Sequence, residues 1–428
     1  MTALALGQTK PPNREIDLGL QKHRADRRRS RLFVHLALVA CLCLQRFGLI
    51  IGSGGIFFCL PLFLAMLGVM LASGYGRIRL VPLAIFALFL LESLVTTLVA
   101  INAPETRYQL NILSLFSLIA IYLCLLVEPT ERFERAGTID LFLSYVRLCA
   151  ILGIAQYGAQ FVGIRIFSFM MAFPFLKPVL LESFYNYNPI MSYGSDISRS
   201  NGFFFVEPSI FSQILALGMA VEFFIKKQLK YMPLYGLAYL LSFSGTGLLA
   251  LGVSIAILAI ADRRYTSRIL LFIVCLAVLA VGIQLLLPDL FASLANRANE
   301  GGQSGSSAYA RYFAQFDFIG RYTDQVRSLI GFGPGAMERS GFFFKGSGNA
   351  ALKLFIDYGI IGLILFVSFL FRSWWRRDIA IISIFSLVNF QLGGGNLLFS
   401  PLVILTTLLC VWSADPAQPQ ATRSEVSA

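Results

Sequence analysis

Histidine is almost absent from this 428-residue chain: His23 lies in the basic N-terminal stretch, His35 in the first apolar segment, and there is no other. A histidine base or a zinc site in the later loops is thereby excluded, because imidazole is the usual side chain for both. Charge is scarce too. Asp, Glu, Lys and Arg make up 14% of the residues and mean hydropathy is +0.72; a soluble domain carries about 25% charged residues, so a soluble globular chain is excluded. The seven cysteines (Cys41, Cys43, Cys59, Cys124, Cys149, Cys275 and Cys410) all fall within or at the edge of apolar segments. A thiol there behaves as a small hydrophobe rather than a metal ligand or disulfide partner. No metal and no cofactor is expected, and the available chemistry is that of arginine, carboxylate, hydroxyl and amide groups.

Long apolar runs are what the chain has in their place. Uncharged stretches of about 15 to 22 residues, the length that crosses a bilayer core as a helix, fall at 32–46, 54–73, 80–100, 109–127, 140–162, 208–225, 231–243, 246–261, 269–288, 350–371, 379–393 and 397–413. The reading is an all-α polytopic integral membrane protein of about twelve transmembrane helices. Ser244-Gly245-Thr246-Gly247 separates two runs that would otherwise merge. Residues 1–31 form a basic tail, 32–413 a single transmembrane domain, and 414–428 a Pro/Gln/Ala-rich tail expected to be disordered. The first run lacks a small-residue cleavage pattern and follows about thirty residues, so no cleavable signal peptide is expected.

Lys and Arg are distributed unequally between the two sides of these runs. Of 35, 22 fall in the N-terminal tail, the C-terminal tail and the loops around 77–79, 132–135, 226–230, 263–268 and 372–377, whereas the short loops of the other side hold only Arg46 and Arg107. By the positive-inside rule the basic side, with both termini, is cytoplasmic, and the net charge of +12 records topology and attraction to anionic lipid. No nucleic-acid-binding module accompanies it, so nucleic acid is not an expected partner.

Two long loops interrupt the pattern, at about 163–207 and 289–349, both extracytoplasmic on this map. Their aromatic content argues against disorder. In the second, Tyr312, Phe316, Ile319, Val326 and Ile330 recur at multiples of three to four, the spacing of a short amphipathic helix, with Arg311, Gln315, Arg321 and Gln325 on its other side. The Gly331-Phe332-Gly333-Pro334-Gly335 run lacks the Gly-Lys-Ser/Thr of a phosphate loop and reads as a sharp turn, a phosphate nest being the alternative. Most informative is Arg199-Ser-Asn-Gly-Phe-Phe-Phe-Val-Glu207-Pro-Ser209, a guanidinium and a carboxylate at the entrance of a span. Ionisable groups beside hydrocarbon are costly and usually face a polar cavity. The competing reading is an N-cap with an interfacial anchor.

Arg-x-x-Gly-Phe-Phe-x-x-Glu-Pro-Ser at 199–209, Arg311 before an aromatic stretch, Leu-Ile-Gly-Phe-Gly-Pro-Gly at 329–335 and Ser-Gly-Asn-Ala-Ala-Leu-Lys-Leu-Phe-Ile-Asp-Tyr-Gly at 347–359 together resemble the Wzy-type polysaccharide polymerase and O-antigen ligase superfamily, most of all its xanthan-type exopolysaccharide polymerases. The resemblance runs from about residue 30 to 413. It implies an enzyme of the bacterial inner membrane that joins undecaprenyl-diphosphate-linked oligosaccharide units at the periplasmic face, alongside a possible chain-length regulator or export complex. It also assigns Arg199 and Arg311 to the diphosphate, with Arg321 and Arg327 in reserve. A guanidinium fork suits that task, since it binds phosphate oxygens bidentately and keeps its proton. Glu207 is either the base for the acceptor hydroxyl or a structural partner of Arg199. Asn201 and Asn349 would hydrogen-bond sugar or phosphate, and tyrosines such as Tyr312 would stack on sugar faces.

Two departures narrow the reading. Ligases of the superfamily commonly carry His-Asn where this chain has Gly348-Asn349, which favours a polymerase, and the spaced Arg/Gly repeat described for some polymerases is missing. A lipid-linked-oligosaccharide flippase or other transporter is the main alternative, an O-antigen-ligase-like transferase the second, a non-catalytic assembly subunit a third. A transporter would be expected to place charges in corresponding halves, whereas the in-span ionisable residues, chiefly Glu92, Arg147, Glu222 and Asp357, show no such symmetry.

Overall fold

The computed structural model describes residues 14–51, 54–103, 110–185, 196–286, 325–339, 349–392 and 396–413. Helix α1 (Arg14–Leu38) continues as a π-turn to Cys43, followed by a hairpin of β1 (Gly48–Ile51) and β2 (Gly54–Phe57). Then come α2 (Cys59–Ala72), a short β3 (Gly76–Ile78), α3 (Leu80–Asn102), α4 (Ile112–Tyr122), β4 (Val127–Pro129) paired antiparallel with β3, and α5 (Thr138–Ala159). The one-turn α6 (Phe169–Ala172) precedes α7 (Pro208–Ala220), which runs on as a π-turn to Lys226, α8 (Met232–Ser242), α9 (Thr246–Ala261) and α10 (Thr266–Leu286). The last elements are α11 (Gln325–Ile330), α12 (Ala336–Arg339), α13 (Ala350–Trp374), α14 (Ala380–Leu392) and α15 (Ser400–Cys410).

Every apolar run read from the sequence contains a helix, yet the helices differ in reach. Among the described residues five are long and apolar enough to cross a membrane: Leu80–Asn102, Thr138–Val162, Pro208–Lys226, Arg263–Gly282 and Ala350–Trp374. Six more apolar helices span 10–17 residues, and 14 residues rise only about 21 Å against a hydrocarbon core of about 30 Å. The expected span at 54–73 is shorter than its hydropathy suggested: Gly54 and Gly55, poor helix formers, lie in the hairpin, and the helix starts at Cys59. At the other extreme, α1 extends back to Arg14, so the second half of the expected tail is helical.

Burial separates core helices from lipid-facing ones. The Pro208–Lys226 span has 83% of its apolar window buried inside the protein, the Arg263–Gly282 span only 12%. All eleven residues of α15 are buried. It is apolar all round because protein encloses it. Close approach helps build this centre: a Cβ on Gly247 would sit 2.2 Å from the Ser212 carbonyl oxygen, so α9 meets α7 backbone to backbone.

The loops collect at two ends. At one, Arg79 reaches the Ser373 carbonyl (3.3 Å), the Trp412 indole donates to Val127 (3.4 Å), Arg376 donates to Ser413 (2.8 Å) and Asp26 accepts from Tyr75. This is the arginine-rich side of the sequence map. Of the in-span charges, Arg147 bonds Glu222 at 2.5 Å with the Tyr231 ring 3.7 Å from its guanidinium carbon, Lys353 lies 3.3 Å from Asp357, and Glu92 accepts the Thr96 hydroxyl at 2.7 Å. Cys275 on α10 is exposed, whereas Cys41, Cys59, Cys124, Cys149 and Cys410 are buried. A bilayer-soluble maleimide applied to the native protein is therefore expected to modify Cys275 and to leave those five unmodified until denaturation, read by peptide mass spectrometry.

Candidate functional site

The Arg199–Ser209 stretch is held by α5. Gln156 and Gln160, four residues apart and so on one helix face, point their amides at it. Gln156 Nε2 donates to the Ile166 carbonyl (2.7 Å) and to Asn201 Oδ1 (2.9 Å), while its Oε1 accepts from the Asn201 and Phe203 amides (3.2 and 3.3 Å). Gln160 Oε1 accepts the Ser198 amide at 2.9 Å and Nε2 donates to the Ser198 carbonyl at 3.2 Å. The Ser200 amide donates to the Leu241 carbonyl (2.9 Å) and its hydroxyl to that of Gly153 (2.8 Å). A non-regular backbone segment thus finds its partners inside the protein, as one packed among membrane helices must.

Next the chain turns tightly into α7. Gly202 has φ +65°, and a Cβ there would lie 2.5 Å from the Phe211 ring. Phe203 adopts φ 67° without glycine's freedom, its ring 5.2 Å from those of Phe169 and Phe204. Such a backbone in a bulky residue is strained and is retained only where packing imposes it. Glu207 is the N-cap residue of α7, Pro208 opens the helix, where its missing N–H costs nothing, and the Ser209 hydroxyl donates to the Glu207 carboxylate at 2.7 Å. The motif therefore leads into the most enclosed of the long helices.

A buried ion pair braces the first loop from the other side. Arg46 and Glu182 are joined with side chains 1% and 0% exposed. Glu182 also accepts the Ser168 hydroxyl (2.5 Å) and the Phe169 and Met170 amides (2.8 and 3.2 Å). Arg46 donates to the Phe167 carbonyl (3.0 Å) and lies 4.5 Å from the centre of the Phe169 ring. That same carbonyl accepts Asn201 Nδ2 at 2.9 Å, so the ion pair and the glutamine-held strand share one oxygen. Burial raises the Glu182 carboxyl, but the Arg46 guanidinium together with the Ser168 and Phe169 hydrogen bonds outweighs it and holds the group below the usual carboxylate range. Beside them the Tyr185 phenol is pushed up by burial and, second, by the charge of Glu207.

The end of the second loop docks at the same end of the bundle. Helix α13 breaks at Gly359 (φ 66°, ψ −173°), which leaves carbonyls of the preceding turn available, and Ile356 and Asp357 accept the amides of Phe332 (2.8 Å) and Gly333 (2.9 Å). The Asp357 carboxylate accepts the Gly335 and Met337 amides (3.1 and 3.0 Å), and the Pro334 carbonyl accepts the Asn111 amide (2.7 Å). Gly331, Gly333 and Gly335 all have positive φ. The turn reading holds; the anion seated on its amides is the protein's own carboxylate.

Of the residues singled out in the sequence, Arg199 and Glu207 flank the held turn, half-buried. Asn201 is buried, with its amide bonded to Gln156 and Phe167. Asn349 caps α13, accepting the Leu352 amide at 2.8 Å. Arg327 sits at the end of α11, donating to the Gly331 carbonyl (3.4 Å) over the Phe332 ring. Arg311, Tyr312 and Arg321 lie outside the described residues. Sequence reasoning passed over Gln156, Gln160, Arg46 and Glu182. The signal was there: two in-span glutamines at helical spacing, and one of only two basic residues in the short loops of that side.

Removing one member of a buried ion pair costs about 3–5 kcal/mol, so Glu182→Gln is expected to lower the melting temperature substantially, and Gln156→Ala less. Because the Glu182 pKa is depressed in the folded state, its contribution is complete above the ordinary glutamate value of about 4.3 and is lost as pH falls through the lower folded value. Thermal unfolding of wild type should weaken over that acid interval, and Glu182→Gln should flatten this part of the profile.

Neither a curated protein nor a solved structure matches the chain. A family model does, that of WcaD colanic acid polymerase, over residues 33–411. That match takes in nearly all of the helical body, including the Gln156-held turn, the Arg46–Glu182 pair and the docked glycine turn, and the chain belongs to this family of Wzy-type polysaccharide polymerases.

Proposed function

We propose that this polymerase joins undecaprenyl-diphosphate-linked oligosaccharide units at the periplasmic face of the inner membrane, moving a growing glycan from its lipid diphosphate onto the terminal sugar of a fresh unit. The observation that carries the reading is that the Arg199–Ser209 turn, held by α5, and the 329–335 turn, held by α13, are both anchored at helix ends away from the arginine-rich loops. By the positive-inside rule this reading takes both termini as cytoplasmic and the long loops as periplasmic. The repeat unit arrives already activated, so no nucleotide is needed, and in this reading arginine side chains neutralise the leaving group.

In this mechanism the acceptor hydroxyl attacks the anomeric carbon of the donor. The bond from that carbon to the diphosphate oxygen breaks, the hydroxyl proton passes to Glu207, and lipid diphosphate leaves with the electron pair. Arg199, with Arg311 from the second loop, neutralises the charge that grows on the leaving group. Glu207 suits the role of base: it is half-buried at the mouth of α7, where the Ser209 hydroxyl orients its carboxylate. Asn201 supports Arg199 through the backbone, two residues along a strand fixed by Gln156, rather than by touching sugar. A chain-length regulator or export complex would engage the same periplasmic end.

Purified protein in nanodiscs, supplied with synthetic lipid-diphosphate repeat units and no nucleotide, is expected to give a ladder of longer glycans. Arg199→Lys keeps the charge but loses the fork, and should cut the rate about tenfold or more; Glu207→Gln should lower turnover by about 10²-fold with lipid binding retained. A wild-type protein that makes no ladder, or an Arg199→Ala variant that makes a normal one, would sink the assignment.

A further inference from the structure

Helix α1 carries two opposed faces. Asp26, Ser30, Val34 and Ala37, at three-to-four spacing, pack on the body: Asp26 accepts from Tyr75 and lies 3.7 Å from Arg132, the Ser30 hydroxyl accepts the Glu134 amide at 3.0 Å, and Val34 and Ala37 are buried. Half a turn round the helix, Arg24, Arg28 and Arg31 form a second stripe, which ends at His35, whose Nδ1 lies 3.2 Å from the Tyr145 hydroxyl of α5. With Arg27 and Leu32 it lines an open groove of about 580 Å³. All four arginines are exposed, and among the described residues no carboxylate lies within ion-pairing distance of any of them. Arg29 faces Tyr75, and Asp26 faces Tyr75 and Arg132.

Position along the helix says what the groove meets. Leu32 and Leu36, 57% and 53% exposed, begin the apolar stretch immediately after Arg31, and Arg24 lies about 10 Å back along the axis at 1.5 Å per residue. A face that turns from exposed leucine to exposed arginine above the point where His35 meets the body stands at the boundary between acyl chains and water, where the anionic groups are phospholipid phosphates. We propose that this groove is a binding site for the headgroup of an anionic phospholipid of the surrounding leaflet, its phosphate held by Arg24, Arg28 and Arg31 and its acyl chains lying along Leu32 and Leu36. The proposal stands on the α1 geometry alone and is independent of the glycan chemistry at the other end of the bundle.

Phosphatidylglycerol binding to the purified full-length protein, followed by native mass spectrometry and by lipid-dependent thermal stabilisation, tests it. Wild type should retain and be stabilised by phosphatidylglycerol but not phosphatidylcholine, with the effect fading as salt is raised. The Arg24→Gln/Arg28→Gln/Arg31→Gln variant should bind phosphatidylglycerol about a hundredfold more weakly, and the corresponding Lys variant should retain most of the binding. Inorganic phosphate alone giving the same stabilisation would overturn the lipid assignment, as would equal phosphatidylglycerol binding by wild type and the Gln variant. Should the Gln variant not fold, Arg28→Gln alone and the wild-type salt series decide: salt-independent retention of phosphatidylglycerol would contradict the proposal.

Discussion

The side-chain amide of Gln156 meets a carbonyl, a second amide and two backbone N–H groups from a strand that has left regular structure among membrane helices. Lipid offers no hydrogen bonds, so each of those groups would otherwise be buried unsatisfied at a cost of several kcal/mol. From this contact the rest follows in sequence. Asn201 is fixed, the Phe167 carbonyl is shared, and Arg46 and Glu182 close the loop from behind. Only with that brace can Phe203 persist at a positive φ and aim the chain into α7.

The second loop obeys the same constraint by another device. A break in α13 frees two carbonyls at depth in the protein, and the glycine turn supplies the amides that satisfy them, with Asp357 taking two more. Glycine is required here by contact as well as by torsion: a Cβ on Gly359 would lie 2.2 Å from the Leu329 carbonyl oxygen. Asp357, one of the in-span ionisable residues, is thus part of a loop anchor. Arg147 and Glu222, two more of the in-span charges, are each other's partners.

Hydropathy made the helices legible, because a bilayer leaves a continuous apolar run little alternative to a helix, and Ser244-Gly245 marked the α8–α9 break where it occurs. It could not tell enclosed helices from lipid-facing ones. The α15 run is as apolar as a span yet rises only about 16 Å inside a protein shell. At the site, the motif residues Arg199 and Glu207 were visible as charges out of place, whereas Asn201 and Asn349 read as ligand contacts because sequence cannot show that a polar group is already satisfied by a cap or a neighbouring amide. Arg46 and Glu182 are 136 positions apart, and nothing local to either announces the other.

The central claim is that the Arg199–Ser209 turn, locked by Gln156 and the Arg46–Glu182 pair, is where lipid diphosphate is held. Cryo-electron microscopy of the protein in nanodiscs loaded with undecaprenyl diphosphate tests it most directly. The account predicts diphosphate density within hydrogen-bonding reach of Arg199, at the mouth of α7 beside Glu207. Density at the opposite, arginine-rich end, with the Arg199–Ser209 turn unoccupied, would contradict it.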